Sequence, residues 1–282
     1  MTINRDFFED LFVLEMANNH WGRLERGKKI VDDFAHVVRY NGIRASIKLQ
    51  FRDVASFIHK DYLDADNRYI KKTLDTKMSK EDFGKLVEYI RSSGCIPTAT
   101  PFDEASVDLA QELELPMLKI ASSDLNDWVL IEKIATTRKP VIASTGGSSL
   151  KDIDDLVTFF ENRRIPLAIN HCVSLYPSED GQLELNQIDF LRNRYPGTTI
   201  GFSSHEYHDW SSSIMMAYAK GARTFERHID IDADGIAVSP YSLCQSNVIS
   251  GLSHLKRRKK CVVPLALTSG FHPTEKLSTW MR

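Results

Sequence analysis

Two stretches pose the chemical question. "TIGFSSHEYHDW" (Thr199–Trp210) and "TFERHIDID" (Thr224–Asp232) each begin as an apolar run and turn polar at a histidine, His205 in the first and His228 in the second. If the two imidazoles meet, they can share a ligand; if they do not, they are separate hydrogen-bonding side chains. "HEYH" (His205–His208) is one residue short of the zinc-protease spacing HExxH, so that reading is set aside. Farther upstream, Lys48 and Gln50 alternate with Ile47 and Leu49. One face of that run therefore carries an ammonium and an amide, inside a fold or at its mouth. The other reading of Lys48 is a lysine snorkelling outward along a helix.

Such residues need elements to bring them together. Eight short apolar runs bounded by turn residues are each followed by a helix-length amphipathic segment. The runs cover residues 10–18, 44–51, 95–101, 116–122, 140–145, 166–172, 198–204 and 224–231. Segments between them, such as "EDFGKLVEYIRSSG", "DEASVDLAQELEL", "DWVLIEKIATT" and "SLKDIDDLVTFFENRR", include several that open on Ser or Asp, as an N-cap requires. Eight βα units in 282 residues predict an α/β fold, a single-domain (β/α)8 TIM barrel, with a doubly wound sheet as the alternative. No GxGxxG or Walker A loop supports the alternative. The barrel is expected over residues 1–262, with a tail over 263–282.

Composition removes several function classes. Lys and Arg total 36 against 38 Asp and Glu, a net charge of −2, so no general attraction to nucleic acid or an anionic membrane is expected. The basic run "LKRRKK" (Leu255–Lys260) reads as a solvated helix end more readily than as a phosphate site. Cys95, Cys172, Cys244 and Cys261 form no CxxC pair, which argues for a reducing cytosol rather than a disulfide framework. No signal-like start and no run of 18 apolar residues is visible, so a cytoplasmic protein is expected.

In a barrel, chemistry gathers at the carboxyl ends of the strands. Glu15, Asn18, Asn19 and His20 end the first run, Lys48 and Gln50 the second, and Lys119, Ser122 and Asp124 the fourth. Ser144 and Thr145, then Asn170, His171, Ser174 and Tyr176, then Ser203 with His205, and Glu226 with His228 follow on the later runs.

The ordered series "EMANNHWG", "KLQF", "TATPFD", "LKIASSD", "STGG", "HCVSLYP", "FSSHEY" and "ERHIDID", from Glu15 to about Leu243, resembles the N-acetylneuraminate (sialic acid) synthase family, NeuB. The resemblance implies condensation of phosphoenolpyruvate with an N-acetylmannosamine-type aldose to give a 2-keto-3-deoxy sugar acid. It implies a divalent metal, usually Mn2+ with Mg2+ or Co2+ possible, on His205 and His228, whose strands would lie about 4.8 Å apart. Lys48 and Lys119 match lysines that hold the phosphate and carboxylate of phosphoenolpyruvate, and Ser122, Ser144, Ser174, Tyr176 and Ser203 match its neutral hydrogen-bonding positions. Glu15 matches the carboxylate nearest the reacting carbons, and Gln50 and Asp124 complete the expected catalytic set. A homodimer is also expected.

Three departures accompany the match. Asp124 stands where the family has Glu, one methylene longer. Val238 and Ser239 stand where the family's acidic residue holds the amino sugar; the alternatives for Asp230, Asp232 and Asp234 are to substitute for it or to form a solvated acidic loop. No antifreeze-like domain of the family's kind is expected, since the closing stretch "SGFHPTEKLSTWMR" is too short to form one. Two other readings stay open: a barrel that binds a sugar phosphate or a partner without condensation, and a Schiff-base aldolase, which needs a buried lysine with a lowered pKa.

Overall fold

A computed structural model describes residues 6–63 and 65–245; the expected tail and the basic run Leu255–Lys260 lie outside the described residues. The strands β1 (Leu11–Ala17), β2 (Arg44–Phe51), β3 (Ile96–Pro101), β4 (Leu118–Ile120), β5 (Val141–Ser144), β6 (Leu167–Cys172), β7 (Thr199–Ser204) and β8 (Thr224–His228) run parallel in chain order. They close on themselves, with β8 pairing back to β1. The expected (β/α)8 barrel is the observed fold. Pro116, Pro140 and Pro166 sit just before β4, β5 and β6, where a missing N–H interrupts no ladder bond.

The helices between strands are α1 (Leu24–Asn41), α2 (Val54–Phe57), α3 (Arg68–Asp75), α4 (Lys80–Ser92), α5 (Glu104–Glu112), α6 (Trp128–Thr136), α7 (Leu150–Arg163), α8 (Asn186–Arg194) and α9 (Trp210–Ala219). Ser79, Asp103, Asp127 and Ser149 cap α4, α5, α6 and α7 by accepting a backbone N–H three residues on. Among the described residues no helix is long and apolar enough to cross a membrane. Cys95, Cys172 and Cys244 are free thiols.

Strand alternation sorts the side chains into two layers. Phe12, Leu14 and Met16 of β1 and Ile47, Leu49 and Phe51 of β2 face the helices and join the main core. The opposite face fills the barrel, with Leu11, Val13, Met117, Ile142 and Ala168 packed together and Phe8 closing the amino-terminal end. Each large apolar side chain so buried stabilises by roughly 1.5–3 kcal/mol. That stabilisation offsets the cost of the next layer toward the carboxyl ends, where Glu15, Lys48, Lys119, Asn170, Ser203 and Glu226 are buried instead.

Gly201 of β7 shows how tight the interior is. A Cβ there would collide with the side chains of Thr224 and Asn170, which are themselves joined by a hydrogen bond from Thr224 Oγ1 to Asn170 Oδ1. Gly201→Ala should destabilise the fold by about 1–3 kcal/mol through overpacking. Urea unfolding measures this, and an unchanged midpoint would show that the β7–β8 wall gives way freely.

Candidate active site

The floor of the carboxyl-end opening is a buried quartet of charges. Register places Glu15 of β1 opposite both Lys48 of β2 and His228 of β8. Lys48 Nζ pairs with Glu15, lies 3.3 Å from Glu226 Oε1 and donates to Thr100 Oγ1 at 2.8 Å. Lys119 Nζ lies 3.5 Å from Glu226 Oε2 and donates to Ser144 Oγ at 2.7 Å. Glu15, Lys48, Lys119 and Glu226 are only 1%, 4%, 2% and 6% exposed, so their charges act in a medium where pairing is strong and isolation costly. Lys48 therefore points into the barrel, and the snorkelling alternative is excluded.

The quartet is asymmetric. Burial pushes the Glu15 carboxyl up, and Lys48 only partly offsets it. Burial also acts on Glu226, but the ammonium groups of Lys119 and Lys48 outweigh it and hold that carboxyl low. Lys48 is raised because its two carboxylates overcome burial. Lys119 is lowered by burial, with Glu226 opposing and Lys48 adding repulsion. Gln50 Nε2 donates to Glu15 Oε1 at 2.9 Å, and Arg52 Nη1 donates to Gln50 Oε1 at 2.8 Å, extending the network to the rim.

His205 and His228 do meet. Their ring centroids are 5.4 Å apart, with Tyr176 4.1 Å from His205 and Tyr241 5.1 Å from His228. Burial lowers His205 to about 4 despite the pull of Glu226. It lowers His228 well below the ordinary imidazole value, aided by His205 and Lys48. Both rings are thus neutral and able to donate a lone pair to a cation, and His205 Nδ1 is buried with no hydrogen-bond partner. That orphaned nitrogen and the neutral donor pair fit a divalent ion. Among the described residues no group of three His, Cys, Asp or Glu side chains is placed to hold a metal ion, so protein would supply two nitrogens and leave other positions open.

Outside the opening, burial also lowers His20 to about 4. Below about pH 6.5 the unfolded chain protonates all three imidazoles while the folded, metal-free chain keeps them neutral. The unfolded state then binds more protons, so stability falls as pH drops from about 6.5 toward 4, by up to about 4 kcal/mol per unit, less the opposing effect of Glu15. Urea midpoints at about pH 7 and pH 5 check this; equal midpoints would contradict buried neutral histidines.

These groups line one cavity of about 920 Å3. Ser122, Ser144, Ser174, Tyr176 and Ser203 lie on its wall with Lys119, as do Glu15, Lys48, Gln50, His205 and His228. Asp124 does not line it. Ser122–Asp124 forms a 3-10 turn that ends β4 early, bringing Ser122 and Ser123 to the wall while Ser123 Oγ holds Asp124 Oδ1 at 2.8 Å. Gly146 is part of the same wall: its N–H donates to Ser122 Oγ at 3.1 Å, and a Cβ would collide with Ser174 Oγ.

Several lining residues were not singled out from the sequence: Arg52, Arg68, Lys72, Tyr241 and Gly146. Glu226 was seen as polar but given no role. Arg52 stacks 3.7 Å over Phe102, and burial lowers it to about 10. Lys48, Lys119, Arg52, Arg68 and Lys72 outnumber Glu15 and Glu226, a surplus of three positive charges around the cavity.

The loop after β8 is pinned from outside. Arg26 of α1, 1% exposed, donates from Nη2 to Asp230 Oδ1 at 2.8 Å and from Nη1 to Ala233 O at 2.8 Å, and reaches Asp234 Oδ2 at 3.3 Å. Asp230 and Asp234 are therefore held away from the cavity, and Asp232 is exposed. Val238 and Ser239 do not line the cavity either, and Ser239 Oγ instead lies 2.6 Å from Ser242 Oγ.

The profile of the NeuB family matches residues 39–240. The uncharacterized protein MJ1065 of Methanocaldococcus jannaschii is 31% identical over 226 residues, 79% of this chain and 63% of that protein. N-acetylneuraminate-9-phosphate synthase of Drosophila melanogaster is 29% identical over 232 residues, 78% of this chain and 60% of that protein. This chain thus spans less than two thirds of either curated relative. A solved Chromobacterium violaceum chain named after spore coat polysaccharide biosynthesis protein E superposes with a TM-score of 0.88 at 36% identity, covering 95% of this chain and 79% of that one.

Proposed function

Because the chain belongs to the NeuB family, we propose that it condenses phosphoenolpyruvate with an aldose to give a 2-keto-3-deoxy sugar acid. The observation that carries this reading is the donor cradle on one wall of the cavity: buried Lys119 bonded to Ser144, with Ser122, Ser174, Ser203 and the Gly146 backbone beside it. A phosphate or carboxylate placed there meets charge-assisted and neutral donors that are already oriented.

In this reading the methylene carbon of phosphoenolpyruvate forms a bond to the aldehyde carbon of the aldose, water adds at the neighbouring carbon, and inorganic phosphate leaves with cleavage of its carbon–oxygen bond. Lys48 and Lys119 hold the anionic groups. The two carboxyl groups divide the proton work because their environments push them apart. Glu226 stays ionised as the counter-charge of both lysines, whereas Glu15, raised by burial, is the group able to take and return a proton near the adding water. Gln50 fixes the Glu15 carboxyl. His205 and His228 would hold the divalent ion, of which Mn2+ is the expected one, and that ion supplies Lewis-acid polarisation of the aldehyde.

The test is phosphate release from phosphoenolpyruvate across a panel of aldoses, with and without manganese. Release that requires an aldose supports the reading, and release indifferent to every aldose overturns it.

A Schiff-base aldolase is the second reading, favoured by one observation, the lowered pKa of buried Lys119. The bond of Lys119 Nζ to Ser144 and its proximity to Glu226 keep it an anion-holding ammonium instead. Borohydride with pyruvate should leave the protein mass unchanged; a stable adduct on Lys119 would establish the aldolase.

A further inference from the structure

The ladder between β7 and β8 stops one residue short of the two imidazoles. Its last pair is Ser204 with Arg227, so His205 and His228 both lie past the point where the two strands hold each other. Beyond that point each histidine is held from its far side. The His205 carbonyl accepts the Ser178 N–H at 3.1 Å, from the loop after β6. His228 is paired to Glu15 of β1, and its carbonyl accepts the Leu243 N–H at 2.8 Å. From one strand end to the other runs the guanidinium of Arg227. Its Nη1 donates to Glu206 Oε2 at 2.5 Å and to Ser204 Oγ at 3.2 Å, and its Nη2 donates to the Glu206 carbonyl. The Glu206 carboxylate also accepts from Ser213 Oγ of α9. Arg227 is 5% and Glu206 0% exposed. Neither lines the cavity, because strand alternation turns Arg227 outward between the inward Glu226 and His228.

A buried ion pair adds little net stability, because desolvation of both charges offsets their attraction, and an apolar pair of similar volume serves a wall as well. What such a pair contributes beyond that is fixed geometry. Here the fixed groups are the residue directly after His205 and the residue directly before His228. Because the planar fork grips the Glu206 carboxylate and the Glu206 backbone together, it sets the course of the chain at His205 as well as the place of one side chain. We propose that Arg227 and Glu206 are positioning residues for the divalent ion: their clamp behind the cavity wall holds the two imidazoles at the separation that a shared ion requires. With two protein nitrogens to hold the ion, slack between them acts on affinity directly. Groups that orient metal ligands from behind matter by about 10–100-fold in metal affinity. This inference rests on the synthase reading for the ion alone.

The experiment is calorimetric titration of the metal-free full chain with manganese and, separately, with phosphoenolpyruvate, alongside urea midpoints of the same proteins. Arg227→Lys keeps a charge for the Glu206 carboxylate but has no fork to reach the carbonyl as well. Glu206→Gln keeps the shape and removes the charge. Ser213→Ala loosens Glu206 from α9 and leaves the link between β7 and β8 in place. Arg227→Lys and Glu206→Gln should each weaken manganese binding by about tenfold with phosphoenolpyruvate affinity within about twofold of the unaltered chain, whereas Ser213→Ala should retain manganese affinity even where its urea midpoint falls. Unchanged manganese affinity in Arg227→Lys or in folded Glu206→Gln, an equal loss in Ser213→Ala, an equal loss of phosphoenolpyruvate affinity, or no manganese binding by the unaltered chain would overturn the clamp. Should Glu206→Gln fail to fold, Arg227→Lys decides alone. If Arg227→Lys loses manganese while the unaltered chain releases no phosphate from phosphoenolpyruvate with any aldose, the synthase reading fails and the clamp stands.

Discussion

Lys119→Met should lower kcat/KM for phosphoenolpyruvate by about a thousandfold. The ammonium is buried, touches Ser144 and faces Glu226, so its loss removes a charge-assisted donor from the ligand and leaves Glu226 with Lys48 alone. Truncating one partner of a buried charge pair costs roughly 3–5 kcal/mol, of which a thousandfold is about 4. Part of that cost falls on folding, because Glu226 then sits under-compensated. The double variant Lys119→Met, Glu226→Gln separates the two effects: it should recover urea stability but not turnover. Recovery of turnover in the double variant would mean that Lys119 serves the fold and not the ligand.

His228→Ala should weaken manganese binding by at least about a hundredfold and abolish metal-dependent turnover, with little loss of folding. The ring stands at the end of β8, beyond the apolar layer formed by Val13, Met117, Ile142 and Ala168, so removing it opens space at the cavity rather than in the core. With no third acidic, histidine or cysteine side chain placed to hold the ion among the described residues, one imidazole of two carries a large share of any protein-derived affinity. Titration of the metal-free protein with manganese measures this. Unchanged affinity in the variant would remove His228 from the metal site.

Much of the arrangement was legible before any coordinates. Alternation on β2 put Lys48 and Gln50 on one face because strand periodicity is local information, leaving only the choice between inward and outward, and the ends of β7 and β8 brought His205 to His228 because neighbouring strands in a barrel are neighbours in sequence order. Glu226 had no assignable role because its meaning lies in two lysines contributed by β2 and β4, a relation between distant segments. Arg52, Arg68 and Lys72 fall in residues 52–72, where two short helices replace any clear apolar period. The contribution of Gly146 is steric and depends on where Ser122 and Ser174 arrive. Asp124 was read as a strand-end carboxylate, but a single 3-10 turn after β4 was enough to move it off the cavity wall. The acidic residues after β8 read as free because nothing in their own stretch announces Arg26, which reaches them from α1.

The central claim is that one cavity joins phosphoenolpyruvate to an aldose. It is tested most directly by supplying phosphoenolpyruvate labelled with carbon-13 at its methylene carbon together with an aldose or aldose phosphate and manganese, and following products by mass and carbon NMR. The account predicts a sugar acid longer than the acceptor by three carbons, carrying the label next to the former aldehyde carbon, with one phosphate released per product. Phosphoenolpyruvate that binds in the cavity, yet yields no labelled sugar acid with any acceptor, would contradict it and leave a binding barrel in place of a synthase.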